Sequence, residues 1–401
     1  MTKYAERLDS MADFASVTRL AYSALPSPDI ISFALGSPAD EALPVAEVTE
    51  IATDIFGKDN RGLYALRYNN PPGIPELRKI AAEIMLPKRG VNGANPEDIL
   101  ITTGGLETLN FVCQLFINKG DVILIESPTF MQAIQIFRMF EAKCVPVECD
   151  ENGMIIKDLK SKQEKYHAKM IYIIPSFQNP SGSTTSLERR KMIAEFASEK
   201  DVMVLEDDPY VELRQRGENL PSIKSFDRTG NVIFADSFSK CVAPGLRVGY
   251  VYASQEIIWH VFDVKTGTNS HTSVLPQMIV AEYFKRGLYE DHIKNACNIY
   301  RQKFDAATEA LKKYMPEGTK FRRPDGGLFY WVELPENAPD TSEMSKHIIE
   351  IGVNFTPGAG FFVDGRGHNC MRLSFGSLSP EMITKGLKML GEYIKDKMEQ
   401  E

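Results

Sequence analysis

The feature that most constrains the fold is a series of short, uninterrupted apolar runs in the middle of the chain. Strands that helices cover on both faces have continuous apolar sequences, whereas half-exposed strands alternate apolar with polar residues. The runs therefore predict parallel strands in the interior of a sheet. They are residues 99–102, 122–126, 170–174, 202–205, 232–235 and 250–252.

Patterns that suit amphipathic helices lie between these runs. Residues 106–117 end at Asn118-Lys119-Gly120, which can cap a helix, and residues 187–200 carry one apolar stripe. The alternation of strands and helices is typical of an α/β fold. We expect residues 45–285 to form a large domain with a mostly parallel sheet covered by helices.

The pattern changes after Pro276. Residues 277–315 predict long helix with charged faces, and strand, helix, strand and helix patterns follow at 327–334, 341–351, 371–375 and 380–398. We expect residues 286–401 to form a smaller α+β domain together with residues 1–44. The latter segment contains Leu25-Pro26, Ser27-Pro28 and Ser37-Pro38, which predict an extended N-terminal arm after a short helix.

Composition narrows the classes of partner. The formal net charge is −8 and no basic run is present, so we expect no nucleic-acid partner. The six cysteines are scattered without a Cys-x-x-Cys pair, which predicts no metal site, no disulfide framework and a cytoplasmic location. The polar N-terminus lacks a signal-peptide core and no apolar stretch reaches membrane-spanning length, so we expect no membrane association.

Polar, turn-forming residues follow four of the predicted strands. In open α/β sheets, ligands bind outside the carboxyl ends of the strands, so these segments should meet in one crevice. The segments are Thr103-Gly104-Gly105, Pro175-Ser176-Phe177-Gln178-Asn179-Pro180, Glu206-Asp207-Asp208-Pro209-Tyr210 and Asp236-Ser237-Phe238-Ser239-Lys240.

Three of these segments suit particular chemistry. Gly104 and Gly105 precede a helix N-terminus that can bind phosphate, although a simple turn has the same sequence. Asp207 can be buried beside a cationic ring nitrogen, or it can belong to a solvated acidic turn. Lys240, with Arg247 seven residues on, can be a nucleophile of lowered pKa, or it can be a surface lysine.

Together these residues resemble the fold-type I enzymes that depend on pyridoxal 5'-phosphate (PLP), whose fold is aspartate aminotransferase-like. Ser237-Phe238-Ser239-Lys240 with Gly245-Leu246-Arg247-Val248-Gly249 is similar to that family's Schiff-base lysine motif. Asp207-x-x-Tyr210 and Asn179-Pro180 are similar to its ring-nitrogen and ring-hydroxyl motifs. The residues from 174 to 182 and from 206 to 210 most resemble aminotransferases for 2-aminoadipate, kynurenine, and aromatic or branched amino acids.

The resemblance implies a role for each matching residue. Lys240 forms the Schiff base and moves the proton, Asp207 pairs with the ring nitrogen, and Phe130 stacks on the ring. The other residues implied to bind the cofactor are Asn179 and Tyr210 at the ring oxygen, and Gly104, Gly105, Leu106, Ser237, Ser239 and Arg247 at the phosphate.

Further residues are implied to bind substrate or to complete a dimer. Arg372 forms a bidentate pair with the substrate α-carboxylate, beside Asn179 and Gly36. Arg19 meets an acidic substrate side chain, or else lies solvated on a surface helix. Tyr68 reaches the phosphate of the neighbouring subunit of a homodimer. Phe130 and Tyr68 can also be plain core aromatics.

The predicted function is PLP-dependent transfer of an amino group from an L-amino acid to a 2-oxo acid, 2-oxoglutarate, by a ping-pong mechanism. The amino acid is expected to be aromatic, branched-chain or similar to 2-aminoadipate. A β-lyase is one alternative, and Arg372 argues against a decarboxylase because it holds the carboxylate. A fold-related transcription regulator is another, but only roughly 40 residues precede the large domain, and they are not basic.

Overall fold

The computed structural model describes residues 3–11, 30–57 and 60–400 of the chain. Its centre is an eight-stranded sheet in which five neighbouring strands run parallel, and antiparallel strands complete its two sides. In spatial order the strands are Ile99–Thr102, Gly249–Tyr252, Val232–Ser237, Met203–Asp207, Met170–Ile173, Val122–Ser127, Lys143–Asp150 and Gly153–Met154.

The mostly parallel sheet confirms the predicted fold class, and burial explains why its strands were visible in the sequence. Every residue of Ile99–Thr102, Met170–Ile173 and Val232–Ser237 is buried. Two details differ from the prediction. Gly249–Tyr252 runs antiparallel to both of its neighbours, and Lys143–Asp150 is a further strand whose residues are mostly only partly buried.

Helices cover both faces of the central sheet and continue through the C-terminal part. The predicted helix over 277–315 is in fact two helices, separated at Gly287, whose φ is +71°. The α-helices are Val45–Gly57, Arg61–Leu66, Pro75–Ile80, Leu86–Lys88, Gly105–Phe116, Met131–Met139, Ile156–Tyr166, Leu187–Lys200, Gln255–Thr268, Val274–Lys285, Tyr289–Tyr314, Thr341–His347 and Pro380–Gln400. Ala81–Met85 is a π-helical turn between two of them.

A second sheet forms near the C-terminus. Its four antiparallel strands are, in order, Lys320–Phe321, Phe329–Glu333, Cys370–Ser374 and Thr356–Pro357. Helices Tyr289–Tyr314 and Pro380–Gln400 pack against each other beside it. These elements are the α+β unit that was expected, although the domain boundary near residue 285 stays a prediction.

Residues 31–37 join this second unit despite their distance in sequence. Ile31–Ser32 pairs in parallel with Val353–Asn354, and the Ser374 amide donates to the Phe33 carbonyl at 2.8 Å. This pairing places the segment beside the carboxyl ends of the central parallel strands. Within the described ranges, no helix is long and apolar enough to cross a membrane.

Candidate active site

A cavity of about 340 Å³ lies at the carboxyl ends of the central parallel strands, where the C-terminal unit and segment 31–37 close over them. It brings together most of the residues that the sequence predicts for the site. Those that line it are Gly36, Gly105, Leu106, Phe130, Asn179, Asp207, Tyr210, Ser237, Ser239, Lys240, Arg247 and Arg372.

Lys240 projects its amine into this cavity. Its Nζ donates to the carbonyl of Gly36 at 2.8 Å. Burial of the amine, together with the charges of Arg372 and Arg247, lowers the pKa of Lys240 to about 8. The neutral fraction near neutral pH is therefore larger than for an ordinary lysine, so the amine can act as a nucleophile or a base.

Asp207 is a buried carboxylate at the end of strand Met203–Asp207. It is 5% exposed, and its Oδ2 accepts a hydrogen bond from Tyr172 at 2.9 Å. Burial raises the pKa of Asp207 to about 7, and the nearby Asp208 and Asp236 add to the rise. No described residue forms an ion pair with it, so a bound cationic group would keep it ionised. Glu206 and Asp208 are buried too, so the solvated-turn alternative is wrong.

Backbone amides and hydroxyls form an anion-binding corner at the start of helix Gly105–Phe116. Gly104 has a φ of +79°, and a Cβ there would overlap the guanidinium of Arg247. Arg247 donates to the Thr103 carbonyl at 3.3 Å and to Ser239 Oγ at 3.4 Å. Ser237 Oγ donates to Ser239 Oγ at 2.9 Å. A helix N-terminus with a guanidinium and two hydroxyls suits a phosphate group.

A buried ion pair supports this corner, and the sequence reasoning missed it. The Thr103 amide donates to Glu107 Oε2 at 2.8 Å. Lys265, which is fully buried, donates to the same oxygen and to Thr272 Oγ1, each at 3.0 Å. Glu107 follows the cap residue Gly104 by three positions, where a glutamate commonly reaches back to cap the helix, and that spacing was the available signal.

Arg372 reaches the cavity from strand Cys370–Ser374. Its guanidinium donates to Asn179 Oδ1 at 3.0 Å and to the Ala34 carbonyl at 2.7 Å, and it lies 4.5 Å from the ring centroid of Phe329. Asn179 in turn donates to Tyr210 Oη at 3.4 Å. The planar guanidinium is thus held on the side of the cavity that faces Lys240.

The hydrogen bonds that segment 31–37 makes at the cavity come from its backbone carbonyls. Thr356 Oγ1 donates to the Ala34 carbonyl at 3.0 Å, and a Cβ on Gly36 would lie 2.7 Å from the ring of Phe329. A glycine is therefore required for this close approach. The sequence predicts Gly36 as a substrate-binding residue. In the structure its carbonyl accepts the hydrogen bond from Lys240 Nζ.

The loop before helix Met131–Met139 places Phe130 at the cavity. Gln178 Nε2 donates to the Pro128 carbonyl at 2.7 Å, and the Thr129 amide donates to the Phe361 carbonyl at 2.9 Å. Phe130 lines the cavity and also packs against the main hydrophobic core. The loop is consequently fixed from both the central sheet and the C-terminal unit.

Two predicted residues lie elsewhere. Tyr68 is 92% exposed and outside the cavity, with its ring edge-on to His271, so the core-aromatic alternative is wrong for it. Arg19 lies outside the described residues. Within the described ranges, no group of three or more His, Cys, Asp or Glu side chains could hold a metal ion.

The cavity meets the separate chemical demands of PLP. It offers an amine for the aldehyde, a carboxylate that has no ion-pair partner among the described residues for the ring nitrogen, and a corner of glycine, serine and arginine for the phosphate. The fold and this site together define a PLP-dependent enzyme of the aspartate aminotransferase-like type.

Comparison with known proteins gives the family. Residues 28–390 match the family described as "Aminotransferase class I and II". The aromatic-amino-acid aminotransferase 1 of Thermococcus litoralis is 36% identical over 96% of this chain and 92% of its own length. The 2-aminoadipate transaminase of Thermus thermophilus is 35% identical over 95% of this chain and 94% of its own.

A solved structure agrees with the sequence relatives. The α-aminoadipate aminotransferase of Thermus thermophilus, in complex with N-(5'-phosphopyridoxyl)-L-leucine, superposes with a TM-score of 0.91 at 34% identity. The match covers 99% of this chain and 98% of that one. The chain belongs to the class I and II aminotransferases. It is a PLP-dependent transaminase that acts on amino acids and oxo acids.

Proposed function

We propose that this enzyme moves the amino group of an aromatic, branched-chain or 2-aminoadipate-like L-amino acid to 2-oxoglutarate by a ping-pong mechanism. The observation that carries the proposal is the placement of Lys240 and Arg372 on one small cavity. An amino acid whose carboxylate pairs with Arg372 would present its α-carbon toward the amine of Lys240. Both half-reactions use the same two contacts, because each has one α-carboxylate to bind.

Each residue has a role that follows from its position. Bound PLP supplies an electron-withdrawing ring that weakens the bonds to the substrate α-carbon. Asp207 holds the ring nitrogen protonated, and Asn179 and Tyr210 hold the ring oxygen. Lys240 would take the proton from the substrate α-carbon and deliver it to the cofactor, and it would reverse this transfer in the second half-reaction, which is general acid–base catalysis.

The remaining cofactor contacts fix the ring in place. Gly104, Gly105 and Leu106 offer backbone at the phosphate, where Arg247 supplies the charge. Ser237 and Ser239 add hydroxyls at the same corner, and Phe130 stacks on the ring. Because Arg372 binds the α-carboxylate, that group is retained, which favours transfer over decarboxylation.

The substrate range is supported by the lining and by the relatives. Leu35, Leu106 and Met131 are apolar residues among those that line the cavity. Similar proteins are named for aromatic amino acids and for 2-aminoadipate, which has a second carboxylate. For acidic substrates we propose that Arg19 meets the side-chain carboxylate, and Arg19→Ala should then impair 2-aminoadipate much more than leucine.

We also propose that the active unit is a homodimer with two shared sites. Tyr68 and Leu66 are 92% and 74% exposed, although both have large apolar side chains. In a dimer they would be covered, and Tyr68 would reach the phosphate of the neighbouring site. Sedimentation at assay concentration tests this, and a fully active monomer would contradict it. The cytoplasmic location stays a prediction.

A panel of amino donors with 2-oxoglutarate tests the proposed reaction. Purified enzyme should form glutamate from aromatic, branched-chain or 2-aminoadipate donors. The single-turnover reaction with donor alone should release the matching oxo acid, as ping-pong kinetics requires. A β-lyase would form ammonia and pyruvate from cysteine-type substrates, and a regulator would form no product; either result without glutamate would contradict the proposal.

A further inference from the structure

Gln132 lines the cavity, but neither the cofactor nor the α-carboxylate accounts for it. It is the second residue of helix Met131–Met139 and lies two positions after Phe130. Its Oε1 is buried, and no group among the described residues donates a hydrogen bond to it. A buried carboxamide oxygen that lacks a hydrogen-bond donor needs a donor from outside the protein.

The unsatisfied amide is unusual because buried polar groups nearly always have partners. Leaving such a group unpaired is unfavourable, so a ligand that supplies the missing hydrogen bond gains binding energy. Hydrogen bonds fix the main chain just before Gln132 from two sides. Gln178 donates to the Pro128 carbonyl, and the Thr129 amide donates to the Phe361 carbonyl. The start of the helix is therefore held in place, and a molecule in the cavity can supply the hydrogen bond that the buried Oε1 of Gln132 lacks.

The surroundings select the chemistry of that partner. Leu35, Leu106 and Met131, which line the same cavity, are apolar. The cavity's charged groups already face the cofactor or the α-carboxylate, and Ser37 is exposed enough for water to satisfy it. What remains is space for an apolar side chain with one polar group.

That polar group should be neutral and able both to donate and to accept. A carboxylate placed on a neutral carboxamide would leave its charge unpaired in an apolar lining. A hydroxyl suits either face of the carboxamide, whichever way the amide is turned. An aromatic ring that carries a hydroxyl meets both demands.

We propose that Gln132 determines specificity by hydrogen bonding the hydroxyl at the end of an aromatic substrate side chain, as in tyrosine. This inference rests on the proposed aminotransferase function and names one class among its donors. A site built to bond a hydroxyl discriminates strongly against the analogue that lacks it, because its own polar group is then left unpaired.

The test compares tyrosine with phenylalanine as donor, using 2-oxoglutarate as acceptor. Methionine has nearly the length and volume of glutamine but forms no comparable hydrogen bond, so Gln132→Met removes the proposed contact alone. The matched control is Gln135→Met, one turn further along the same helix and outside the cavity lining. Wild type and Gln135→Met should favour tyrosine in kcat/KM, and this preference should fall about tenfold in Gln132→Met.

Other outcomes overturn the proposal. If the wild type shows no preference for tyrosine, water rather than substrate satisfies the amide. If Gln132→Met and Gln135→Met show the same preference as the wild type, the hydroxyl is bound elsewhere. Gln132→Leu serves if the methionine variant does not fold, and PLP absorbance confirms folding. If no donor yields glutamate, the proposed function fails first, and this result is distinct from a lost preference.

Discussion

The two walls of the cavity are built in different ways. The sheet wall contains cavity residues from segments 105–106, 179, 207–210 and 237–247, which lie at or after the ends of strands of the central sheet. The closing wall consists of segment 31–37 with strands Phe329–Glu333 and Cys370–Ser374. Its central contact, Arg372 to the Ala34 carbonyl, joins residues 338 positions apart. The comparison teaches that the residues proposed for the cofactor lie at strand ends of one sheet, whereas Arg372, which is proposed to bind substrate, is positioned by pairings between distant segments.

The largest expected effect tests the sheet wall. Lys240→Ala should lower turnover with every donor by at least roughly 10³-fold, because general acid–base transfer contributes ~10²–10⁴-fold. Borohydride reduction should attach the cofactor to the peptide that contains Lys240 in the wild type only. Mass spectrometry of the reduced peptides checks this, and a variant that keeps turnover would remove Lys240 from the chemistry.

A substitution on the closing wall should affect substrate and spare cofactor. Arg372→Lys keeps the charge but loses the two-pronged geometry. It should raise the KM for amino acid and for oxo acid by about ten- to hundredfold, as expected for ~1.5–3 kcal/mol of charged hydrogen bond. PLP affinity, followed by absorbance after ultrafiltration, should stay unchanged. A loss of PLP with unaltered KM values would contradict the proposal that the closing wall binds substrate and the sheet wall binds the cofactor.

The buried ion pair behind the sheet wall should affect cofactor and spare substrate. Lys265→Met leaves the Glu107 carboxylate without its cation beside the anion-binding corner, and breaking a buried pair is strongly unfavourable. The PLP dissociation constant should rise about tenfold or more. The double variant Glu107→Gln, Lys265→Met removes both charges and should recover most of the affinity. If the double variant binds PLP no better than Lys265→Met, the pair acts only through packing.

The smallest expected effect links the two walls, because the charge of Arg372 on the closing wall lowers the pKa of Lys240 on the sheet wall. At pH values below its pKa of about 8, the Lys240 amine is mostly protonated. The rate of PLP capture by cofactor-free enzyme should then rise about tenfold per pH unit and level off above that pH. Arg372→Met removes a cation, so the midpoint should move to higher pH, while Arg372→Lys should leave it in place. Stopped-flow absorbance measures this, with N-acetyl-lysine as the control for titration of PLP itself.

The sheet was largely predictable because its interior strands are buried on both faces. That burial leaves a continuous apolar signature in strands such as Met170–Ile173. Lys143–Asp150 was missed because its residues are mostly only half-buried and its sequence is mixed. The direction of Gly249–Tyr252 was not predictable, since apolar runs carry no information on whether a strand is parallel or antiparallel.

The residues of the site also divide into those that the sequence predicts and those that it does not. Asp207 is the last residue of one strand and Lys240 lies close after the end of another, so the strand-end rule found their neighbourhood and the family resemblance implied their roles. Ala34, Thr356 and Lys265 were missed because they reach the site through pairings between segments that are far apart in sequence. Gln132 was missed for a different reason: an unsatisfied amide is a property of packing and has no sequence signature.

The pairing of Ile31–Ser32 with Val353–Asn354 also bears on how the chain matures during translation. The ribosome delivers segment 31–37 early, yet its strand partner is among the last stretches to emerge. The central sheet, whose strands end at Tyr252, can be complete well before that moment. Throughout this interval the mouth of the cavity stays open, with the carbonyl of Gly36 not yet held against Lys240. Contacts between such distant segments form slowly, so acquisition of a closed active site should lag behind acquisition of the sheet.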